Sequence, residues 1–105
     1  MNNMISKSFM AFNKEAPEQA ECWGTLIQGL AKASSLDPKT HNLAFISVLA
    51  VLGREGGIPF HVQMAKQAGA SRDEIISAAL VGLPPAGHIV TEVLPALISA
   101  FDDGK

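Results

Sequence analysis

Residues 43–53, LAFISVLAVLG, constrain this chain more than any other stretch. Apart from one serine, every position ahead of the closing glycine is apolar, so no polar face is left to turn toward water. Asp37 and Pro38 stand upstream, an N-cap residue followed by the residue best suited to a first helical turn. The β-branched residues alone would suit a buried strand, but the length and the cap predict a helix ending at Gly53. A helix without a polar face has to be surrounded, either at the centre of a core or between subunits. A chain of 105 residues is expected to form one domain, spanning 1–105, with room for only one core. Part of its apolar surface is therefore expected to lie between copies of the chain.

Composition narrows the classes of function. Hydrophobic residues make up 48% of the chain and charged residues 17%, which is the balance of a folded domain rather than a disordered one. The net charge of −2, with its basic residues scattered singly, leaves no electrostatic footprint for nucleic acid. Cys22 is the only cysteine, so an intramolecular disulfide, a Cys-x-x-Cys redox pair and a cysteine-built zinc site are all excluded. Three histidines without close spacing predict no metal site. The opening residues MNNMISKSFM lack the apolar run of a signal peptide, and no segment approaches the roughly 20 apolar residues of a membrane span. A reduced, cytoplasmic setting without membrane partners is the expectation.

The remaining periodicities are also helical. A helix is predicted from Pro17 to about Ser34, with Trp23, Leu26, Ile27 and Leu30 at core spacing. After Gly53, the pair Gly56-Gly57 keeps a loop open until Pro59 begins the next helix, in which His61, Met64, Ala65 and Ala68 share a face. Gly69 stops it. Ser71 to Glu74 forms a capping box for a helix whose stripe is Ile75, Ile76, Ala79, Leu80 and Leu83, and Pro84-Pro85 then breaks the chain. A last helix carries Ile89, Val90, Val93, Leu94, Leu97, Ile98 and Phe101, with Pro95 expected to kink it near Thr91. The sum is an all-α, compact bundle of five to six helices.

The succession Asp-Pro-Lys-Thr, an apolar helix, a glycine loop and His-Val-x-x-Ala-x-x-x-Gly-Ala-Ser-Arg-x-Glu-Ile resembles the carboxymuconolactone decarboxylase family of the alkylhydroperoxidase D-like superfamily. The likeness runs from about Leu36 to Ile76, with a weaker tail through the Pro-Pro segment. It implies an alkylhydroperoxidase D-like helical fold and assembly as a homo-oligomer, a trimer or hexamer. Peroxidase members carry two cysteines, a glutamate and a histidine; here those positions are Arg54, Gly57, Asn42 and His61. Without a thiolate, peroxide reduction has no nucleophile. The Gly-Arg loop followed by a His-Val helix looks instead like the cysteine-free decarboxylase branch. Against that branch, the segment from Glu74 to Pro84 is about one helical turn short, and the Pro-Pro-Ala-Gly-His run is unlike it, which leaves the substrate open.

Each candidate residue has a functional and a plain reading. His61 can exchange a proton near neutrality, or simply be a core histidine bonded to backbone. Arg54 can clamp a carboxylate through two parallel hydrogen bonds, or pair with Glu55 or with a neighbouring subunit. Glu55 can orient His61 or act as a second acid or base, or be solvated. Gly87 and His88, at a helix start, offer free amides for an anion, while the plain reading is a loop histidine facing water. His41 reads as surface, and Met64 as an apolar wall. The resemblance implies a cysteine-independent decarboxylase, or related lyase or isomerase, that needs no cofactor and acts on a small, lactone-type carboxylate. Arg54 would hold the anion, His61 would supply the proton, and Gly87 with His88 would take a second carboxylate. The alternative is a family member whose thiol chemistry is lost and which serves as a non-catalytic, ligand-binding oligomer.

Overall fold

Side chains that catch otherwise unpaired amides, and prolines in the first turn, set the helix starts in this protein. In the computed structural model, which describes residues 6–104, the Ser6 hydroxyl accepts the Phe9 amide at 3.1 Å and opens α1, Lys7–Glu15. The Asp37 carboxylate accepts the Thr40 amide at 2.7 Å and opens α3, Pro38–Leu52. Ser71 and Glu74 exchange two such bonds, at 3.0 and 2.9 Å, and open α5, Arg72–Leu80. Proline in the first turn, where no amide is needed, begins α2 (Pro17–Ala33), α4 (Ile58–Gln67), the single turn α6 (Leu83–Ala86) and α7 (Leu94–Asp103). Gly53 closes α3 in the left-handed region, at φ 68°, as the sequence leads one to expect. Among the described residues there is no strand, so the all-α bundle is what forms.

The core lies where α3, α4, α5 and α7 meet. α3 packs on α4 and α5, and α4 packs on α7. Ile46, Ala50, Ile58, Val62, Ala65, Ile75, Ala79, Val90, Val93 and Leu97 are all buried there. Burying each of the larger of these side chains contributes about 1.5–3 kcal/mol. Two polar ties fix how the helices seat. The Ser47 hydroxyl donates to the Ala78 carbonyl at 2.6 Å, clipping α3 to α5. The Gln63 amide and the Lys66 ammonium donate to the carbonyls of Ala100 and Phe101 at 2.7 and 2.8 Å, clipping the end of α7 to α4.

Three expectations change. Pro95 does not kink a long last helix: His88–Val93 is a 3₁₀ segment, and α7 begins only at Leu94, with Pro95 in its first turn. The Thr91 carbonyl is not orphaned, because the tighter 3₁₀ geometry brings the Leu94 amide to it. Next, the helix from Ser71 stops at Leu80, and Leu83 belongs to α6. Finally, the α2 stripe is not core. Trp23, Leu26, Ile27 and Leu30 are between 43 and 60% exposed, and α2 packs chiefly on α1. α1 itself was not anticipated from the sequence.

The outer side of α3 is bare as well, with Val48 57% and Leu52 59% exposed. No helix among the described residues is long and apolar enough to cross a membrane. Such apolar faces on a small domain call for a partner, and a further copy of this chain is the expected cover. Light scattering at micromolar concentration should give a trimer or larger. Leu30→Glu on α2 and Val48→Glu on α3 should shift the mass downward and leave helix content unchanged, since neither side chain is in the core. A monomer mass for the wild-type chain would overturn the expectation.

Candidate functional site

His61 sits in the first turns of α4, and α3 builds its surroundings. Asn42, Ile46 and Ala50 recur every fourth residue along α3 and are all buried, so Asn42 is the polar end of a core ridge. Its side-chain amide donates to the Pro38 carbonyl one turn back, at 2.9 Å. Its carbonyl oxygen lies 2.9 Å from Nδ1 of His61. The Phe45 ring, one turn further along α3, stacks on the imidazole with centroids 3.8 Å apart and planes 13° from parallel. Phe60 meets the same ring edge-on at 5.2 Å. The imidazole is thus held on one face, at one edge and at one nitrogen.

Burial in this apolar setting pushes the His61 pKa down from its ordinary value to about 4, and the nearby His41 adds to the shift. The ring is therefore neutral at physiological pH. Among the described residues Nε2 has no partner, and no polar side-chain atom is both buried and unpaired. Nε2 consequently reaches the surface of the cluster. The arrangement offers one held imidazole whose exposed nitrogen can exchange a proton with a small molecule, beside the half-exposed Met64 and Phe45.

The other candidates are placed less tightly. Arg54 caps the 3₁₀ turn Glu55–Gly57 that leads into α4, and its backbone amide is bonded to the Leu49 carbonyl at 2.9 Å. Arg54 and Glu55 are both exposed. The ion pairs among the described residues are Lys39–Glu74 and Arg72–Asp102, so Arg54 and Glu55 do not pair with each other. Glu55 does not orient His61; Asn42 occupies that position instead. His88 is exposed, and Thr91 folds back on it, its hydroxyl donating to the His88 carbonyl at 2.8 Å. The Gly87 amide is not free for an anion, because α6 ends by donating it to the Leu83 carbonyl at 2.8 Å. No hydrogen bond or ion pair among the described residues joins Arg54, Glu55 or His88 to the His61 cluster.

Asn42 entered the sequence reading only as a lost glutamate. The signal for its role was present: a polar residue in phase with Ile46 and Ala50 has to find partners inside the fold. Cys22 is exposed on α2. Among the described residues no three His, Cys, Asp or Glu side chains converge in the way a metal ion would need.

A model described as the carboxymuconolactone decarboxylase family matches residues 17–98, most of the chain. No curated protein and no solved structure matches it.

The depressed His61 pKa has a pH signature. A histidine that is neutral when folded and charges at its ordinary value when unfolded contributes stability above pH 6.5 that is lost as pH falls toward 4. Denaturant unfolding between pH 7 and 4 should therefore show a smaller fall in stability for His61→Gln than for the wild type. Carboxylate losses are common to both proteins and cancel in the comparison. Equal slopes would place His61 in water.

Proposed function

The chain belongs to the carboxymuconolactone decarboxylase family, and from that premise we propose that it is a cysteine-independent lyase or isomerase acting on a small carboxylated, lactone-type substrate, with His61 as its proton-transfer group. The observation that carries this reading is the neutral imidazole gripped by Asn42, Phe45 and Phe60, with Nε2 left outward. Such a ring first takes a proton and only then gives one back. This order modifies the expectation that His61 simply supplies a proton. For a decarboxylation, the carboxyl proton passes to Nε2 as the bond to carbon breaks and carbon dioxide leaves. The imidazolium then returns that proton to the enolate carbon. For an isomerisation, the proton comes from one carbon beside a carbonyl and goes back to another. The depressed pKa makes the imidazolium a readier donor in the second transfer and the neutral ring a weaker base in the first.

Arg54 is proposed to hold a second carboxylate of the substrate. Its side chain has no partner among the described residues, and it stands on the glycine loop directly before α4. A bidentate guanidinium contact would anchor the substrate without taking part in proton transfer. Decarboxylation is one form of this chemistry, and proton shift without loss of carbon dioxide is the other.

Screening small carboxylates and lactone acids by thermal shift, followed by turnover assays on the hits, tests the reading. Arg54→Ala should weaken ligand affinity by roughly 1.5–3 kcal/mol. His61→Ala should keep most affinity and lose about 10²–10⁴-fold in rate. A His61→Ala protein that melts earlier but turns over normally per folded molecule would sink the proposal. Alkyl hydroperoxides with a dithiol donor should not be consumed, since Cys22 is exposed on α2 and is the chain's only thiol. Peroxide turnover that vanishes in Cys22→Ser would place the protein with the thiol-dependent members instead.

A further inference from the structure

Asn42 spends a buried position on the core ridge of α3, where Ile46 and Ala50 are apolar, and its two polar groups have unlike neighbours. The Pro38 carbonyl can only accept, so the amide nitrogen of Asn42 must be the group facing it, at 2.9 Å. That fixes the other end. The Asn42 oxygen faces His61, and an amide oxygen can only accept, so Nδ1 of the neutral imidazole must carry the hydrogen across the 2.9 Å contact. Neither oxygen–nitrogen assignment in the amide nor placement of a hydrogen is needed for this chain of reasoning, because a backbone carbonyl anchors it. Phe45 and Phe60 offer no competing acceptor to the ring.

We infer that Asn42 is the positioning residue of the site: it locks His61 in the Nδ1–H tautomer, so that Nε2 presents a lone pair and accepts only from molecules bringing a hydrogen-bond donor or a transferable proton. The consequence for turnover rests on the reading of His61 as the proton-transfer group; the tautomer assignment does not. The ligand class follows from the acceptor. A protonated carboxyl, an enol hydroxyl or an acidic C–H can engage Nε2, whereas a bare carboxylate oxygen meets lone pair with lone pair. Uncharged acid or enol groups are therefore what the histidine end of the site selects, and an ionised carboxylate has to be bound elsewhere. His41, reaching the site across Phe45 at 5.8 Å between centroids, is the other titratable group that bears on the ring. A carboxylate at position 42 would accept from Nδ1 equally well, but would also favour the charged ring, which an amide does not. The amide therefore keeps the tautomer and leaves the ring neutral.

Imidazole ¹⁵N shifts of histidine-labelled protein at neutral pH read this directly. Wild-type His61 should show a protonated Nδ1 and a bare Nε2. Asn42→Asp should keep that tautomer and raise the titration midpoint, and Asn42→Ala should give a mixture of the two neutral forms. With a substrate in hand, Asn42→Ala should lower kcat about tenfold, the loss of one oriented hydrogen bond, with a smaller change in KM. A wild-type Nε2–H form, or Asn42→Ala with the tautomer unchanged, overturns the inference. Should Asn42→Ala fail to fold, the wild-type tautomer and the Asn42→Asp titration decide the matter alone. The two proposals also separate: a correct tautomer without turnover of any carboxylated compound defeats the functional reading only, and His61-dependent turnover with the opposite tautomer defeats this one only.

Discussion

The buried ridge of α3, on which Asn42, Ile46 and Ala50 recur every fourth residue, is the constraint on which the rest of the structure depends. Ile46 and Ala50 belong to one core cluster with Ile58, Val62 and Ala65 of α4 and with Ile75 and Ala79 of α5. Small residues on that ridge and on its partners let three helices meet, and the hydroxyl of Ser47 clips α5 in place. Because Asn42 is the last member of the same ridge, the packing that closes the core also delivers an amide to His61. The His61 cluster is thereby built on helices rather than on the glycine loop. The ring of His61, itself on α4, is held by two side chains of α3, Asn42 and Phe45.

Two effects compete over the charge of His61. Stacking on Phe45 would by itself favour an imidazolium, since an aromatic face attracts a cation by about 0.5–2 kcal/mol. Removal from water works in the opposite direction, and His41 adds repulsion. Desolvation is the larger effect, so the ring is neutral. A carboxylate in the place of Asn42 would have tipped the balance back by attraction at hydrogen-bond range. An amide supplies the same acceptor without the charge.

Much of the fold was legible because its signals are local. Ser71 with Glu74, Asp37 with Pro38, and the left-handed Gly53 each act within a few residues of chain, and each does in the structure what its chemistry suggests. Pro95 was misread for a reason that is also local. A proline inside an apolar stripe looks like a kink, yet it equally well starts a helix if the preceding residues wind into a 3₁₀ turn, and the stripe has a similar period in either case. The Gly87 amide was misjudged because the single turn of α6 bends it back onto the Leu83 carbonyl. Asn42 was the costliest miss. Its importance is a matter of who faces it across 19 residues of chain, which no spacing in α3 alone reveals.

The α2 stripe teaches a different lesson about periodicity. Trp23, Leu26, Ile27 and Leu30 do share a helical face, as their spacing requires, but that face is exposed in the single chain. A hydrophobic stripe states that a surface needs cover; it does not say that the cover comes from the same chain. The core here is already complete without α2, since Leu97, Val93 and Ile75 are buried by α3, α4, α5 and the 3₁₀ segment. The outer residues of α3 are in the same position: the helix is apolar all round, yet only one side of it is used by the fold. A sequence with no polar face on its central helix has therefore been spent twice over, one side to make a domain and the other kept apolar against the cost of exposure. The same helix that holds the His61 ring on one side thus presents an apolar surface on the other, where Val48 and Leu52 are exposed in the single chain.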